Sequence, residues 1–182
     1  MAKLPNIKKQ KQIQDAKRRK LREELFPDSE RPWLSHEETG YFSAPRSLPL
    51  LLDLLKSKEI RGKNDPSTVY IELLSRHMGQ GIVELTYEEE HAFAAGYHGE
   101  RATHTWRERM RVLEDIGLIR TKKKGNRRYA YVLLVHPTIV IQRLYDKGKV
   151  DPDWWTTFRS LQIETKEPTA EELLSSWPQE AA

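Results

Sequence analysis

The chain has 182 residues and no cysteine, which excludes a disulfide scaffold, a cysteine nucleophile and a thiolate zinc site. Only 37% of the residues are hydrophobic, and no apolar run approaches the roughly 18 residues that a membrane span needs. The basic N-terminal segment lacks the continuous apolar core of a secretory signal. We therefore expect a cytoplasmic protein with one folded domain and polar extensions.

Positive charge is concentrated in two segments, although the net charge is only +4. Nine basic and three acidic residues lie between Met1 and Glu24, and ten basic and three acidic residues lie between Arg101 and Arg128. The rest of the chain is therefore acidic. Two basic segments on an otherwise acidic protein favour a polyanionic partner.

The first 45 residues are interpreted as extensions of the domain. Residues 6–25 contain helix formers throughout but too few apolar side chains for a core-facing stripe, which predicts a basic helical arm over 1–26. Three prolines in the following stretch predict a linker over residues 27–45. The expected anchors of this linker on the domain are Trp33, Tyr41 and Phe42.

The folded domain is predicted over residues 46–163. Its first half is expected to contain helices over 48–58 and 67–78, a strand over 81–85 and a helix over 87–97. The helix start signals are Ser47, the Asp65-Pro66 pair and a capping box formed by Thr86 and Glu89.

The second half of the domain is predicted to contain a long helix and a basic hairpin. Thr103 is the expected cap of a helix over 104–116, and Gly117 is the expected stop. Strands over 118–122 and 129–135 are joined by a polar Gly-Asn turn. Helices over 138–147 and 152–161 follow, and residues 164–182 are expected to form an acidic flexible tail.

The helix over 104–116 has one apolar and one polar face. At about 100° per residue, the inner face carries Trp106, Met110 and Leu113. The opposite face carries His104, Arg107, Glu108 and Arg111. Arg107 and Arg111 are one turn apart, so both can reach successive base edges or phosphates of a nucleic-acid duplex. Arg109 lies on the flank of the helix, nearer a phosphate of such a duplex than a base.

The element order of this region, and the string TWRERMRVLEDIGLI over residues 105–119, resemble the recognition helix and following strand of winged helix-turn-helix proteins. The resemblance implies that this helix lies in the DNA major groove and that the hairpin, or wing, touches the backbone or minor groove. The run from Arg101 through the Val-His-Pro segment is similar to DNA-binding domains of plasmid and mobile-element replication proteins.

These observations predict a mainly α fold with a small β-hairpin (α+β), namely a winged helix-turn-helix with extra N-terminal and C-terminal helices. The expected function is sequence-specific binding of double-stranded DNA by a bacterial replication, partition or transcription regulator of a plasmid or mobile element, associated with the nucleoid or plasmid. The predicted DNA-contacting residues are His104, Thr105, Arg107, Glu108, Arg109, Arg111, Lys122, Lys123, Lys124, Asn126, Arg127, Arg128, Lys17, Arg18 and Arg19.

The sequence leaves two other functions open, namely RNA binding and protein docking. The basic arm is also typical of a helix that folds on a structured RNA, and winged helices also dock proteins. A homodimer contact is the alternative to core packing for Trp154, Trp155 and Phe158, of which core packing is favoured. The motifs indicate no enzymatic activity, small-molecule substrate, cofactor or metal site.

Overall fold

The computed structural model describes residues 7–25, 27, 39–62, 64–77 and 80–176. The chain divides into two compact units, Met1–Tyr41 and Phe42–Ala182. The first unit contains α1 (Ile7–Leu25), as its run of helix formers predicts. No side chain described in α1 is buried, because its apolar residues are too widely spaced to cover a core.

The second unit is mainly helical and contains a small antiparallel sheet, which confirms the α+β class. Its elements are α2 (Leu48–Lys56), α3 (Lys58–Arg61), α4 (Ser67–Arg76), β1 (Ile82–Glu84), α5 (Glu88–Ala94), α6 (Ala102–Ile116), β2 (Ile119–Lys124), β3 (Arg127–Leu134), α7 (Pro137–Asp146), α8 (Pro152–Thr165) and α9 (Ala170–Ser176).

The three strands form a sheet in the order β1-β3-β2. Val132 of β3 lies between Val83 of β1 and Thr121 of β2. The predicted hairpin is therefore confirmed, and its turn begins at Gly125, which has a φ of +58°. The register of β2 and β3 shifts between Lys122 and Lys124, so the basic end of the hairpin is irregular.

The predicted inner face of α6 lies in the core. Trp106, Met110 and Leu113 are each 0% exposed. The Trp106 ring meets Tyr129 of β3 edge-on at 5.6 Å and lies 6.3 Å from His91 of α5. Gly117 ends α6 in the left-handed conformation, as predicted, and so lets the chain turn directly into β2.

A buried polar cluster joins α4 to α5. Glu72 is 5% exposed, accepts a hydrogen bond from Arg76 and lies 2.8 Å from His91 Nδ1. Because an unpaired buried carboxylate is costly, this cluster is expected to hold α5 against α4.

Several predicted helix caps are wrong. Ser47 does not cap α2, because its amide and hydroxyl donate to the Glu167 carboxylate at 3.0 and 2.6 Å. The Thr86 and Glu89 capping box is absent, since Tyr87 occupies the cap position of α5 and makes no side-chain cap bond. Thr103 lies inside α6 rather than before it. By contrast, Asp65 and Asp151 accept hydrogen bonds from the first amides of α4 and α8.

The described part of the predicted flexible tail is folded, which differs from the sequence interpretation. Glu167 binds Ser47, Ala170 is buried, and α9 packs against α7. The acidic composition of this segment concealed the contacts because they come from elements far away in the sequence. Residues 177–182 lie outside the described residues.

The aromatic residues of the linker and of α8 behave differently. Tyr41 and Phe42 are exposed, at 52% and 37%, and Trp33 lies outside the described residues. In α8, Phe158 is fully buried and Trp155 stacks on Tyr145 at 4.3 Å. Core packing of the α8 cluster is therefore confirmed.

Candidate nucleic-acid interface

The start of α5, the outer face of α6 and the tip of the β2-β3 hairpin surround one cleft. Its volume is about 440 Å³. Glu88 lines it from α5, Arg107 from α6, and Asn126 and Arg128 from the hairpin. The fold thus brings the two predicted DNA-contacting segments of the second unit to the same surface.

The outer face of α6 is oriented as its periodicity predicts. His104, Arg107 and Arg111 are exposed, and Glu108 is partly buried. Arg107 Nε donates to Glu88 Oε2 at 2.5 Å. Arg111, one turn further along, makes no hydrogen bond or ion pair to any residue that the structure describes.

Arg109 does not fit the expected phosphate contact. Its side chain is only 18% exposed, and its guanidinium lies 5.5 Å from the centre of the Tyr97 ring. One terminal nitrogen donates to the Thr105 carbonyl at 3.3 Å and to Glu108 at 3.1 Å. Arg109 therefore packs the flank of α6 and is largely withdrawn from any external partner.

The lysines of the hairpin differ in what they contact. Lys122 and Lys123 are exposed and have no ion pair among the described carboxylates. Lys124 Nζ lies 3.8 Å from Glu84 and 5.5 Å from the centre of the Tyr131 ring. A hydrogen bond to Tyr131 raises the pKa of Lys124, so this lysine remains charged at neutral pH.

The two hairpin arginines hold the hairpin in place. Arg127 donates to the Leu85 and Thr86 carbonyls at 2.9 and 3.2 Å, which ties β3 to the segment between β1 and α5. Arg128 donates to Glu114 at 3.2 Å and thereby ties the hairpin to the last turn of α6. The predicted hairpin tip therefore has fewer free cations than its sequence suggests, while Asn126 remains exposed.

Carboxylates neutralise part of the predicted basic surface. Four predicted cations pair with acidic side chains, namely Arg107 with Glu88, Arg109 with Glu108, Lys124 with Glu84 and Arg128 with Glu114. The sequence interpretation missed Glu84, Glu88 and Glu114 as parts of this surface. The positive charge of the second unit's candidate interface that no described carboxylate pairs therefore lies at Arg111, Lys122, Lys123 and Arg127, of which Arg127 is held by two backbone carbonyls.

Tyr129 forms part of the cleft wall. The residue is 2% exposed, and its hydroxyl has no hydrogen-bond partner among the described residues. Burial raises the pKa of the Tyr129 phenol above its ordinary value, so the hydroxyl stays protonated at neutral pH. Because the hydroxyl oxygen is itself buried, Tyr129 offers the cleft no accessible hydrogen-bonding group, and its ring lies 5.2 Å from the Arg128 guanidinium.

The three predicted cations of the arm belong to the first unit. Lys17, Arg18 and Arg19 are exposed on α1. Their neighbours Lys20 and Arg22 form surface ion pairs with Glu24 and Glu23. Such exposed pairs contribute little to stability.

The described residues contain no group of three or more histidine, aspartate or glutamate side chains arranged to hold a metal ion. No helix in this part of the chain is both long and apolar enough to cross a membrane. Comparison with protein families, curated proteins and solved structures found no match to the chain.

Proposed function

We propose that the chain is a winged-helix protein that binds double-stranded DNA, with α6 in the major groove and the β2-β3 hairpin as the wing. The order α4, β1, α5, α6, β2, β3 and the strand order β1-β3-β2 support this fold. The exposed polar face of α6 supports its role as the recognition helix, because a helix that reads DNA needs one face in the core and the other free.

The observation that carries the proposal is the shared cleft of α6 and the hairpin. Arg107 and Arg128 line it from two elements of the fold. The unpaired cations Arg111, Lys122 and Lys123 belong to the same two elements. If α6 lies in the major groove of a duplex, the phosphates of that duplex come close to the hairpin. The hairpin lysines then provide the positive charge that neutralises these phosphates.

The biological role proposed for this binding is replication, partition or transcription control of a plasmid or mobile element. It rests on a resemblance stated above: the segment from Arg101 through Val135-His136-Pro137 is similar to DNA-binding domains of plasmid and mobile-element replication proteins. Selection of bound sequences from a random duplex pool tests the proposal directly. Enrichment of one motif supports a sequence-specific regulator, whereas no retention of any duplex at low salt favours a protein-docking module.

The free lysines of the hairpin are expected to contribute through charge. A Lys122→Ala/Lys123→Ala variant should bind preferred and random duplexes more weakly by the same factor, because phosphates carry no sequence information. The plot of log affinity against log salt should flatten by roughly 0.9 for each phosphate that is no longer neutralised. Fluorescence anisotropy of labelled duplexes over a salt series measures both effects.

A matched control is offered by the loop after α7. Lys147 and Lys149 are exposed and do not line the cleft, so Lys147→Ala/Lys149→Ala removes the same charge elsewhere. An equal change of slope in both double variants would mean that net charge alone, and not the hairpin, governs binding.

The basic arm should add affinity without adding fold stability. A chain beginning at Pro27 should keep its melting temperature and base preference, because no described side chain of α1 is buried. It should bind more weakly at low salt, since the arm's cations are removed. Calorimetry and anisotropy measure the two properties, and a Lys17→Gln/Arg18→Gln/Arg19→Gln variant separates charge from chain length. If the chain beginning at Pro27 lost all duplex binding, the arm would be the functional element. This result would favour the alternative in which the arm binds RNA.

A further inference from the structure

Glu88 and Arg107, which both line the cleft, form an ion pair between α5 and α6. Glu88 lies in the first turn of α5, and its side chain is 13% exposed. It accepts the Arg107 Nε hydrogen at 2.5 Å, while the Arg107 side chain remains 56% exposed. A mostly buried carboxylate thus holds the inner part of an exposed guanidinium.

This contact leaves the outer end of the Arg107 guanidinium available. Arginine has five N–H donors in one plane, of which Nε supplies one and the two terminal nitrogens supply four. Both terminal nitrogens of Arg107 are without a hydrogen-bond partner among the described residues.

The other paired arginines of this surface are held differently. Arg109, Arg127 and Arg128 each use a terminal nitrogen in a contact with the protein. Each of these contacts occupies part of the end of the guanidinium. Arg107 therefore differs from them in keeping both terminal nitrogens for an external ligand.

We propose that Glu88 is a positioning residue that presents Arg107 end-on to a guanine. In the major groove, guanine offers two adjacent acceptors, N7 and O6, whereas adenine offers one acceptor and one donor. Two parallel N–H donors fit only the guanine pattern at this edge. The inference rests on the proposed DNA binding. It adds that α6 recognises a guanine through Arg107 and that Glu88 holds Arg107 in the orientation this contact needs.

The cost of this arrangement is a negative charge close to DNA. A carboxylate in the cleft weakens attraction to phosphates, so the contribution of Glu88 is to discrimination between bases and not to affinity. Fixing the guanidinium also reduces the side-chain entropy that is lost when the base is bound. Glu88 should therefore lower affinity for random duplex and raise the preference for guanine.

The test compares duplexes that differ at single positions of the selected site. The position read by Arg107 is the one where Arg107→Ala abolishes the guanine preference, which for a bidentate contact is about five- to 150-fold. At that position Glu88→Ala should lose most of the same preference and bind random duplex as well as or better than the unmodified protein. Glu88→Gln should keep most of the preference, because its amide oxygen still accepts from Nε.

Glu89→Ala is the matched charge control, since Glu89 lies in the same turn and lines the same cleft. It should raise random-duplex affinity as Glu88→Ala does, but leave the guanine preference intact. A Glu88→Ala/Arg107→Ala variant should match Arg107→Ala alone. Full guanine preference in Glu88→Ala, or equal loss in Glu89→Ala, would overturn the positioning role while leaving DNA binding intact. Absence of duplex binding by the unmodified protein would overturn the proposed function itself.

Discussion

Replacing Trp106 with alanine is expected to lower the free energy of unfolding by about 3–5 kcal/mol. Trp106 is fully buried where α5, α6 and β3 meet, and its ring contacts Tyr129 edge-on. Alanine would leave a cavity beneath the outer face of α6, and the neighbouring rings are too rigid to fill it. Equilibrium denaturation in urea, followed by circular dichroism, measures the decrease.

A surface aromatic residue provides the control for this experiment. Phe93 of α5 is 67% exposed, so Phe93→Ala should change the free energy of unfolding by no more than about 0.5 kcal/mol. Trp106→Phe should cost less than the alanine variant, because the indole Nε1 has no hydrogen-bond partner in the described residues. If Trp106→Ala were as stable as Phe93→Ala, the packing of α6 described above would be wrong.

The sequence predicts α6 and the hairpin well because their signals are local. Trp106, Met110 and Leu113 recur at helical spacing, and Gly117 provides the conformation that a helix stop requires. The Gly-Asn turn likewise determines where the chain reverses between β2 and β3. Each of these signals lies within the element that it specifies or directly beside it.

Predictions that depended on distant partners were wrong or incomplete. Ser47 looked like a helix cap, but its hydroxyl binds Glu167, 120 residues away. The same contact orders a segment whose acidic composition suggested a flexible tail. A serine hydroxyl can hydrogen-bond either to a backbone amide of its own helix or to a remote carboxylate. The local sequence does not indicate which of these partners it binds.

The candidate interface shows the same division between local and distant information. Helical periodicity correctly places Arg107 and Arg111 on the exposed face of α6. It does not reveal that Glu88, 19 residues earlier, binds Arg107, or that Glu114, 14 residues earlier, binds Arg128. Charge counting therefore overestimates the free positive charge, because the pairing depends on how α5, α6 and the hairpin pack.

Arg111→Ala is expected to weaken binding to the selected duplex by about 1–3 kcal/mol. Arg111 is exposed, lies one turn beyond Arg107 on α6 and is unpaired in the described structure. Its guanidinium therefore needs to break no internal contact before it reaches a base edge. Anisotropy titrations with the selected duplex and with a scrambled duplex of equal length measure the effect and its sequence dependence.

Two further variants identify the kind of contact that Arg111 makes. Arg111→Lys keeps the charge but loses the planar fork, so it should retain binding to the scrambled duplex and lose preference for the selected one. Arg143→Ala removes an exposed arginine from α7, outside the cleft, and should leave that preference unchanged. If Arg111→Lys kept the full preference, Arg111 would contact a phosphate, and Arg107 would be left to read the sequence from α6. Full-strength binding by Arg111→Ala would place the duplex away from this face, because an unpaired cation pointing into the major groove cannot be removed without weakening the complex.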